Sequence, residues 1–333
     1  MSDKTKMIIG SDKITNIDNS NIQNFNKINI KEIGPTVQNI SLGEDLNILI
    51  DELVNHILNE FNKGKEERVI RLYILDYVKN FKINLQEISN LFLNDQDDSN
   101  FFYLLGYINY NGIETNVNKQ KAFELYQKAA DLGNIIAQLE LSNIYIHGNG
   151  IERNYNKSFE LSEKLAKDGH PNAINRLGYC YELGIGTNIN IQKAFELYQK
   201  AAYLGNIRAQ CNLALMYKNG KGTEINYDKA FKLLKNSAEE GHSSGINLLG
   251  YFYNNGIGTN INIQKAFELY QIAANLGNSI AQFNLATMYE YGENDEIKIN
   301  IDKAIYWYKK SAEQGDIDAQ NKLESLQDED EWE

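Results

Sequence analysis

A run of 14 residues occurs twice in this chain without a single difference, and this duplication constrains the fold more than any other feature. The copies span 186–199 and 258–271, which places them 72 residues apart, and a near copy occupies 121–130. Weaker copies at half that spacing put small residues 36 positions apart, at Ala137, Ala173, Ala209, Gly245 and Ala281. A short fixed period predicts an array of stacked units rather than one globular core.

The period divides most of the chain into six units followed by a closing helix that ends at 326. The last unit is longer because it carries a polar insertion near 294–298. Odd units end in Leu-Gly-Asn and units two and four in Gly-His, so the array is built from duplicated pairs. The predicted units are 99–134, 135–170, 171–206, 207–242, 243–278 and 279–316.

Each unit has the pattern of two helices joined by a glycine turn. In the first helix, a leucine and a tyrosine four residues apart, such as Leu177 and Tyr181, share one face beside a small residue. A Gly-x-Gly turn follows, here at 184–186, because glycine tolerates the positive φ that ends a helix and reverses the chain. The second helix carries an apolar stripe with helical spacing, which runs from Ala194 to Ala201 in unit three.

These residues resemble the Sel-one-like repeat family, a relative of the tetratricopeptide repeat, in its fungal and protist form. The segments 281–289 and 303–308 match the family pattern especially well, and the resemblance covers about 99–326. It implies an all-α fold, a right-handed α/α superhelix whose first helices line a concave surface. It also implies a scaffold or adaptor role in assembling signalling, degradation or cell-wall-synthesis complexes.

The two ends of the chain have different patterns. Residues 1–40 are rich in Asn, Ile and Lys without steady periodicity, which predicts a disordered segment. Residues 41–98 carry dense helical stripes, at 46–61 and 69–81 among others, which predict helices. Such helices either cap the array, by covering the apolar face of the first repeat, or bind a second partner. Residues 327–333 form an acidic tail.

The charge balance and the cysteines limit the partners and the cellular compartment that we expect for this protein. Asp and Glu total 45 against 33 Lys and Arg, and the net charge of −12 disfavours binding to nucleic acid or to anionic membranes. No apolar run approaches the ~18 residues of a membrane span, and 1–15 lacks a secretory pattern, so we expect a cytoplasmic protein without membrane insertion. Cys180 and Cys211, which have no metal-site or redox spacing, suit a reducing compartment.

No motif predicts catalysis, and we expect a non-enzymatic protein with no cofactor, no metal and no small-molecule substrate. The segment 220–223 looks like part of a phosphate loop, but the required spacing and the preceding strand are missing. His170 and His242 occupy one repeat position, which predicts solvated turn histidines rather than metal ligands. The catalytic motifs of kinases, which accompany some fungal and protist relatives, do not occur.

Transferring the groove-facing positions of related solenoids gives a candidate surface that is rich in Asn and Tyr. Asn side chains both donate and accept hydrogen bonds, and Tyr adds apolar area with a polar tip, so an extended protein or peptide partner is favoured. Two alternatives stay open: an ordinary surface that reflects composition alone, and a regulatory subunit or catalytically truncated relative of a signalling kinase or other enzyme complex. The candidate partner-binding residues are Tyr103, Tyr107, Asn143, Asn175, Tyr179, Cys211, Leu215, Lys218, Asn247, Tyr251, Asn254, Phe283 and Glu290.

Overall fold

The computed structural model describes residues 44–80, 98–113, 115–293 and 297–330, which form 15 α-helices and no strand. Two helices, α1 (Glu44–Lys63) and α2 (Glu67–Asn80), precede the repeats. Six helix pairs and a closing helix follow: α3 (Ser99–Asn111), α4 (Lys119–Asp131), α5 (Ile135–His147), α6 (Tyr155–Lys167), α7 (Pro171–Leu183), α8 (Ile191–Tyr203), α9 (Ile207–Asn219), α10 (Tyr227–Glu239), α11 (Ser243–Asn255), α12 (Ile263–Asn275), α13 (Ser279–Tyr291), α14 (Ile301–Ala312) and α15 (Ile317–Asp330).

The predicted all-α repeat fold is confirmed, and all described residues belong to one compact body, 39–333. Odd-numbered helices from α3 to α13 are the first helices of units one to six, and even-numbered helices from α4 to α14 are the second helices. The closing helix, predicted to end at 326, continues to Asp330. The segment predicted to be disordered, 1–40, and the end of the acidic tail, 331–333, lie outside the described residues.

Asparagine caps set where the helices begin. Every second helix follows an Asn whose side chain accepts a hydrogen bond from the backbone N–H three residues later, as Asn190 does from Lys193 at 3.0 Å. Such a cap stabilises a helix by about 1 kcal/mol relative to Ala. The equivalent caps are Asn118, Asn154, Asn226, Asn262 and Asn300.

The second glycine of the turn also brings each unit against the previous one. Gly186 has φ 65°, and a Cβ there would overlap the carbonyl oxygen of Tyr155 and lie 2.8 Å from the Cβ of Phe159. Since both neighbours belong to α6, the turn of unit three is a contact with unit two as well as a chain reversal. A side chain at this position is excluded both by the left-handed backbone and by the close approach.

The same aromatic contact joins five successive pairs of units. A Phe of one second helix meets a Tyr of the next first helix edge to face, with ring centroids 5.4 to 5.9 Å apart. Pairs of this kind contribute about 0.5–1.5 kcal/mol beyond their buried area, so each unit is stabilised by its neighbours. The pairs are Phe123–Tyr145, Phe159–Tyr181, Phe195–Tyr217, Phe231–Tyr253 and Phe267–Tyr289.

Inside a unit, a small residue of the first helix faces a larger residue of the second. In unit three a Cβ at Gly178 would lie 2.9 Å from the ring of Tyr198, which is fully buried. Unit four has Ala214 and Leu234 at the equivalent positions, and both are fully buried. Units three and four therefore fill the same space with different pairs of side chains. Units one and five repeat the first kind, as Gly106 with Tyr126 and Gly250 with Tyr270.

The first helices form the inner side of the array. Helix α9 packs directly against α11, and α11 against α13, whereas second helices of neighbouring units make at most sparse contacts over the described ranges. Elements on the inner side of a curved array come closer together than those on the outer side. The first helices therefore line the concave surface, as the resemblance implied.

Helices α1 and α2 lie along this inner side; we call residues 44–80 the N-terminal hairpin. Helix α1 packs against α3, α5 and α7, the first helices of units one to three. The turn of the hairpin reaches further, because Lys65 Nζ donates to the carbonyl of Glu240 at 2.8 Å. Ser243 donates from its backbone N and from Oγ to the Glu66 carboxylate, at 2.9 and 2.6 Å. The segment expected to cover the first repeat thus contacts five units.

Candidate functional site

The N-terminal hairpin separates the predicted groove residues into a covered and an open set. Tyr103 and Tyr107 in unit one are only 0% and 1% exposed, and α1 packs against the helix that carries them. Burial raises the pKa of Tyr103 well above its usual value. In this arrangement neither tyrosine is accessible to a partner, because a distant segment of the same chain lies over α3.

Asn175 and Asn247 are also buried, and they join neighbouring first helices. Asn212 Nδ2 donates to Asn175 Oδ1 at 3.0 Å, and Asn284 Nδ2 donates to Asn247 Oδ1 at 3.1 Å. Their side-chain oxygens are therefore used between repeats. Their capacity to hold the backbone of a partner is thereby reduced, because one lone pair of each oxygen is already used.

Cys211 lies in a buried polar cluster. Its sulfur is 3.1 Å from Ser237 Oγ and 3.9 Å from His242 Nδ1. Burial raises the pKa of Cys211 to about 11 and lowers the pKa of His242 to about 4, so both side chains are neutral at pH 7. A neutral thiol and a neutral imidazole do not form the ion pair of a cysteine nucleophile. His242, expected to be a solvated turn residue, instead caps α11 by accepting from the N–H of Gly245 at 3.3 Å.

The remaining predicted residues are exposed or half-buried. Tyr179 and Tyr251 occupy equivalent positions two units apart and are 37% and 36% exposed. The ammonium of Lys218 lies 4.7 Å from the ring centroid of Tyr251. The others in this open set are Asn143, Leu215, Asn254, Phe283 and Glu290.

Two members of the open set mainly hold the last unit together. Phe283 packs edge to face on Tyr308 at 5.4 Å. Glu290 accepts hydrogen bonds from Tyr308 Oη at 2.6 Å and from Lys322 Nζ at 2.8 Å. Because Lys322 belongs to α15, Glu290 connects unit six to the closing helix.

A cleft of about 210 Å³ lies on the open part of the inner surface, between units two and four. Three predicted residues line it, but its two arginines were missed because neither lies at a transferred position. A signal was available, because the chain has only five arginines among its 33 basic residues. The lining residues are Asn143, Ile146, His147, Asn172, Asn175, Arg176, Tyr179, Arg208 and Asn212.

A cluster of charged groups separates this cleft from the hairpin. Glu67, Glu140, Arg176 and Arg208 line a smaller cavity of about 50 Å³ beneath the hairpin. Burial, with the nearby charge of Glu67, raises the pKa of Glu140 to about 8. Burial, with the charge of Arg208, lowers the pKa of Arg176 to about 10. At pH 7 the Arg176 guanidinium is charged, whereas the Glu140 carboxyl group is largely protonated.

The raised pKa of Glu140 predicts a pH-dependent stability. The folded protein holds this proton more tightly than the unfolded chain, so stability falls as the pH rises from about 4.5 to about 8. Glu140→Gln should remove that loss. Its effect on the free energy of unfolding should therefore be more stabilising at pH 9 than at pH 5, by on the order of 1–2 kcal/mol. Urea unfolding at both pH values measures it, with the exposed Glu160→Gln as the control. An equal effect at both pH values would contradict the assignment.

Neither a metal site nor a membrane span stands out in the described residues. No group of three or more His, Cys, Asp or Glu side chains there is placed to hold a metal ion. None of the helices there combines the length and apolar character that crossing a membrane requires. The open inner surface thus presents amides, tyrosines and arginines.

Comparison with known proteins agrees with the repeat architecture. The Sel1 repeat family model matches residues 103–134, 135–170, 171–206, 207–242, 243–278 and 279–316. A Sel1 repeat protein from Oxalobacter formigenes is 28% identical with a TM-score of 0.60, and the match covers 70% of this chain and 93% of that protein. Yeast Tom70 is 16% identical with a TM-score of 0.50, and the match covers 93% of this chain and 62% of Tom70. This is a likeness of fold alone. No curated protein matches the chain.

The matched segments follow the same period as the repeats in the sequence. Five of the six matches begin and end at the predicted residues, and the first begins at 103 instead of 99. A protective antigen of uropathogenic Escherichia coli, c5321, is a further similar structure, at 26% identity and a TM-score of 0.48 over 86% of this chain and 67% of that protein. Since the six matches cover well over half of its residues, the chain belongs to the Sel1 repeat family.

Proposed function

We propose that this chain is a non-enzymatic scaffold or adaptor that binds a segment of a partner protein on the open part of its inner surface. Sel1 repeat proteins generally mediate protein–protein interactions, and the repeat scaffold is generally non-catalytic. The observation that carries the proposal is the row of accessible side chains that the N-terminal hairpin leaves uncovered in units three to five.

The row presents similar side chains at successive units. Tyr179, Leu215 and Tyr251 occupy one repeat position on α7, α9 and α11, and all three retain exposed surface. Lys218 lies beside Tyr251, where its charge is held over the ring. Aromatic side chains favour interfaces because they bury a large area with few rotatable bonds while the hydroxyl group stays hydrated. A segment that crosses the first helices meets this row at regular intervals, which favours an extended partner over a compact one.

The hairpin limits where such a partner binds. Because it lies over units one to three and its turn contacts units four and five, only the part of each first helix beyond the hairpin is open. No feature of the described residues favours the alternative of a regulatory subunit of a signalling kinase. The proposal therefore rests on the surface itself and leaves the partner to be identified by affinity purification.

Tyr179→Ala combined with Tyr251→Ala should weaken binding of the purified partner at least tenfold, since central aromatic residues of interfaces often contribute more than about 1 kcal/mol each. Because both side chains are about two-thirds buried, some loss of stability is expected as well, and circular dichroism checks that the variant is folded under the conditions of the titration. Calorimetric titration of the partner into the full chain measures the affinity.

The matched control is Tyr203→Ala with Tyr227→Ala, which removes two tyrosines that are 90% and 46% exposed on second helices. This pair should leave the affinity unchanged. If the control pair costs as much affinity as the inner pair, the partner binds elsewhere and the proposal fails.

A further inference from the structure

We infer that the cleft between units two and four selects a partner segment carrying a carboxylate, which binds between Arg176 and Arg208. The inference rests on the proposed function and adds the chemistry of the partner, an acidic peptide segment. The arginines lie on neighbouring first helices, α7 and α9, and both line the cleft as well as the cavity beneath the hairpin.

Both guanidinium groups have unused hydrogen-bond donors. Arg176 donates from Nη1 to Asn143 Oδ1 at 3.0 Å, but its Nε is buried without a partner. The Arg208 side chain lines the cleft and has no hydrogen-bond or ion-pair partner among the described residues. Arginine presents five N–H groups in a planar fork, and a carboxylate has two oxygens that accept from such forks. One carboxylate can therefore satisfy donors of both side chains.

The local charge favours an anion although the chain as a whole is acidic. The cleft is lined by Arg176 and Arg208 and by no carboxylate, whereas Lys65 and Glu67 face the smaller cavity beneath the hairpin. Glu140 faces the same small cavity, but its raised pKa leaves it with little negative charge at pH 7. Within a chain of net charge −12, this cleft is thus locally positive. A partly desolvated positive cleft binds an anion more strongly than the open surface does.

The surroundings favour a carboxylate over a phosphate. Glu67 also faces the small cavity, and its repulsion of a ligand grows with the charge of the ligand. A phosphate ester carries close to two negative charges at pH 7, whereas a carboxylate carries one. Asn172 and Asn212 line the same cleft, where their amides can bind the backbone on either side of the acidic residue.

The scarcity of arginine provides a direct experiment. Because the chain has five arginines, isotope labelling of arginine alone gives five side-chain Nε–H resonances in an NMR spectrum. Arg176→Lys and Arg208→Lys each remove one resonance and so identify the two that matter. The full chain is titrated with a short peptide in which Glu alternates with Tyr. We expect the Arg176 and Arg208 resonances to shift and those of the other arginines to stay in place. A matched peptide with Gln in place of Glu should bind at least tenfold more weakly, about 1.4 kcal/mol.

A phosphoserine version of the peptide tests the source of the anion, and tighter binding of that version would overturn the choice of a carboxylate. Movement of other arginine resonances, or equal affinity for the Glu and Gln peptides, would overturn the inference itself. Because these measurements use the unaltered chain, they decide the matter even where an arginine variant folds poorly.

Variants give the second measurement. Arg176→Gln with Arg208→Gln should abolish the preference for the Glu peptide, while Lys200→Gln with Lys232→Gln, which removes two exposed charges from second helices, should preserve it. A preference that survives the loss of both arginines contradicts the inference.

Binding measurements with the natural partner distinguish this inference from the proposed function. Binding that needs the tyrosines of the open row but not the arginines would leave the scaffold intact and reject the carboxylate. Binding that needs neither set would reject both.

Discussion

Tyr198→Leu is expected to lower the free energy of unfolding by about 2–4 kcal/mol, because it leaves a cavity at a fully buried position. It also removes the hydrogen bond that Tyr198 Oη donates to Glu182 at 3.0 Å. Gly178→Ala alone should cost about 1–3 kcal/mol, since its new Cβ would lie 2.9 Å from the tyrosine ring. This steric cost outweighs the roughly 1 kcal/mol that Ala gains over Gly inside a helix.

The two changes together should cost about 1–3 kcal/mol less than the sum of the single changes. The double variant recreates in unit three the Ala214–Leu234 pair that unit four already has, so the added methyl group fills part of the cavity. Urea unfolding of the four proteins, followed by circular dichroism, measures the coupling. Strictly additive costs would show that packing does not require Gly opposite Tyr in unit three or Ala opposite Leu in unit four.

Ile57→Asp is expected to detach the N-terminal hairpin from the repeats. Ile57 is 0% exposed in α1, and burying an unpaired carboxylate there costs on the order of 4 kcal/mol or more. The repeats should stay folded, because their aromatic junctions do not involve the hairpin. Hydrogen exchange should therefore accelerate by about a thousandfold in 44–80 and around Tyr103, whose cover is lost.

Ile48→Asp is the control for this experiment, because Ile48 lies on the same helix and is 53% exposed. It should leave exchange unchanged in both regions. If Ile57→Asp instead unfolds the whole array in one step, the hairpin is part of the core of the repeats and not a separable segment.

Sequence periodicity predicts the repeats well because the residues that fix them recur. The Asn caps, the turn glycines and the Phe–Tyr junctions each occur at the same place in several units, so every copy supports the same assignment. The hairpin has no such repetition. Its apolar stripes show that α1 and α2 each bury one face, but they do not show against which units. The deciding contacts, such as Asn206 Nδ2 to the carbonyl of Asn62 at 3.0 Å, join residues 144 positions apart.

The candidate site was only partly predictable for the same reason. Transfer of repeat positions found Tyr179 and Tyr251, which follow the period, but missed Arg176 and Arg208, which do not occupy equivalent positions in their units. It also placed Tyr103 and Tyr107 on an open groove, since the position of a residue within a repeat carries no information about what covers it. Residues that depart from the repeat are therefore where binding specificity should be sought.

The contacts of the hairpin turn have a consequence for how the array deforms. In a solenoid with contacts only between neighbours, small rotations at each junction add up, and the array stretches and twists like a spring. Here one continuous segment is bonded near unit one, where Asn100 Nδ2 donates to Asp51 at 2.7 Å, and again at unit five through Glu66 and Ser243. Such a brace fixes the distance across the units it spans, so bending is concentrated at unit six and the closing helix.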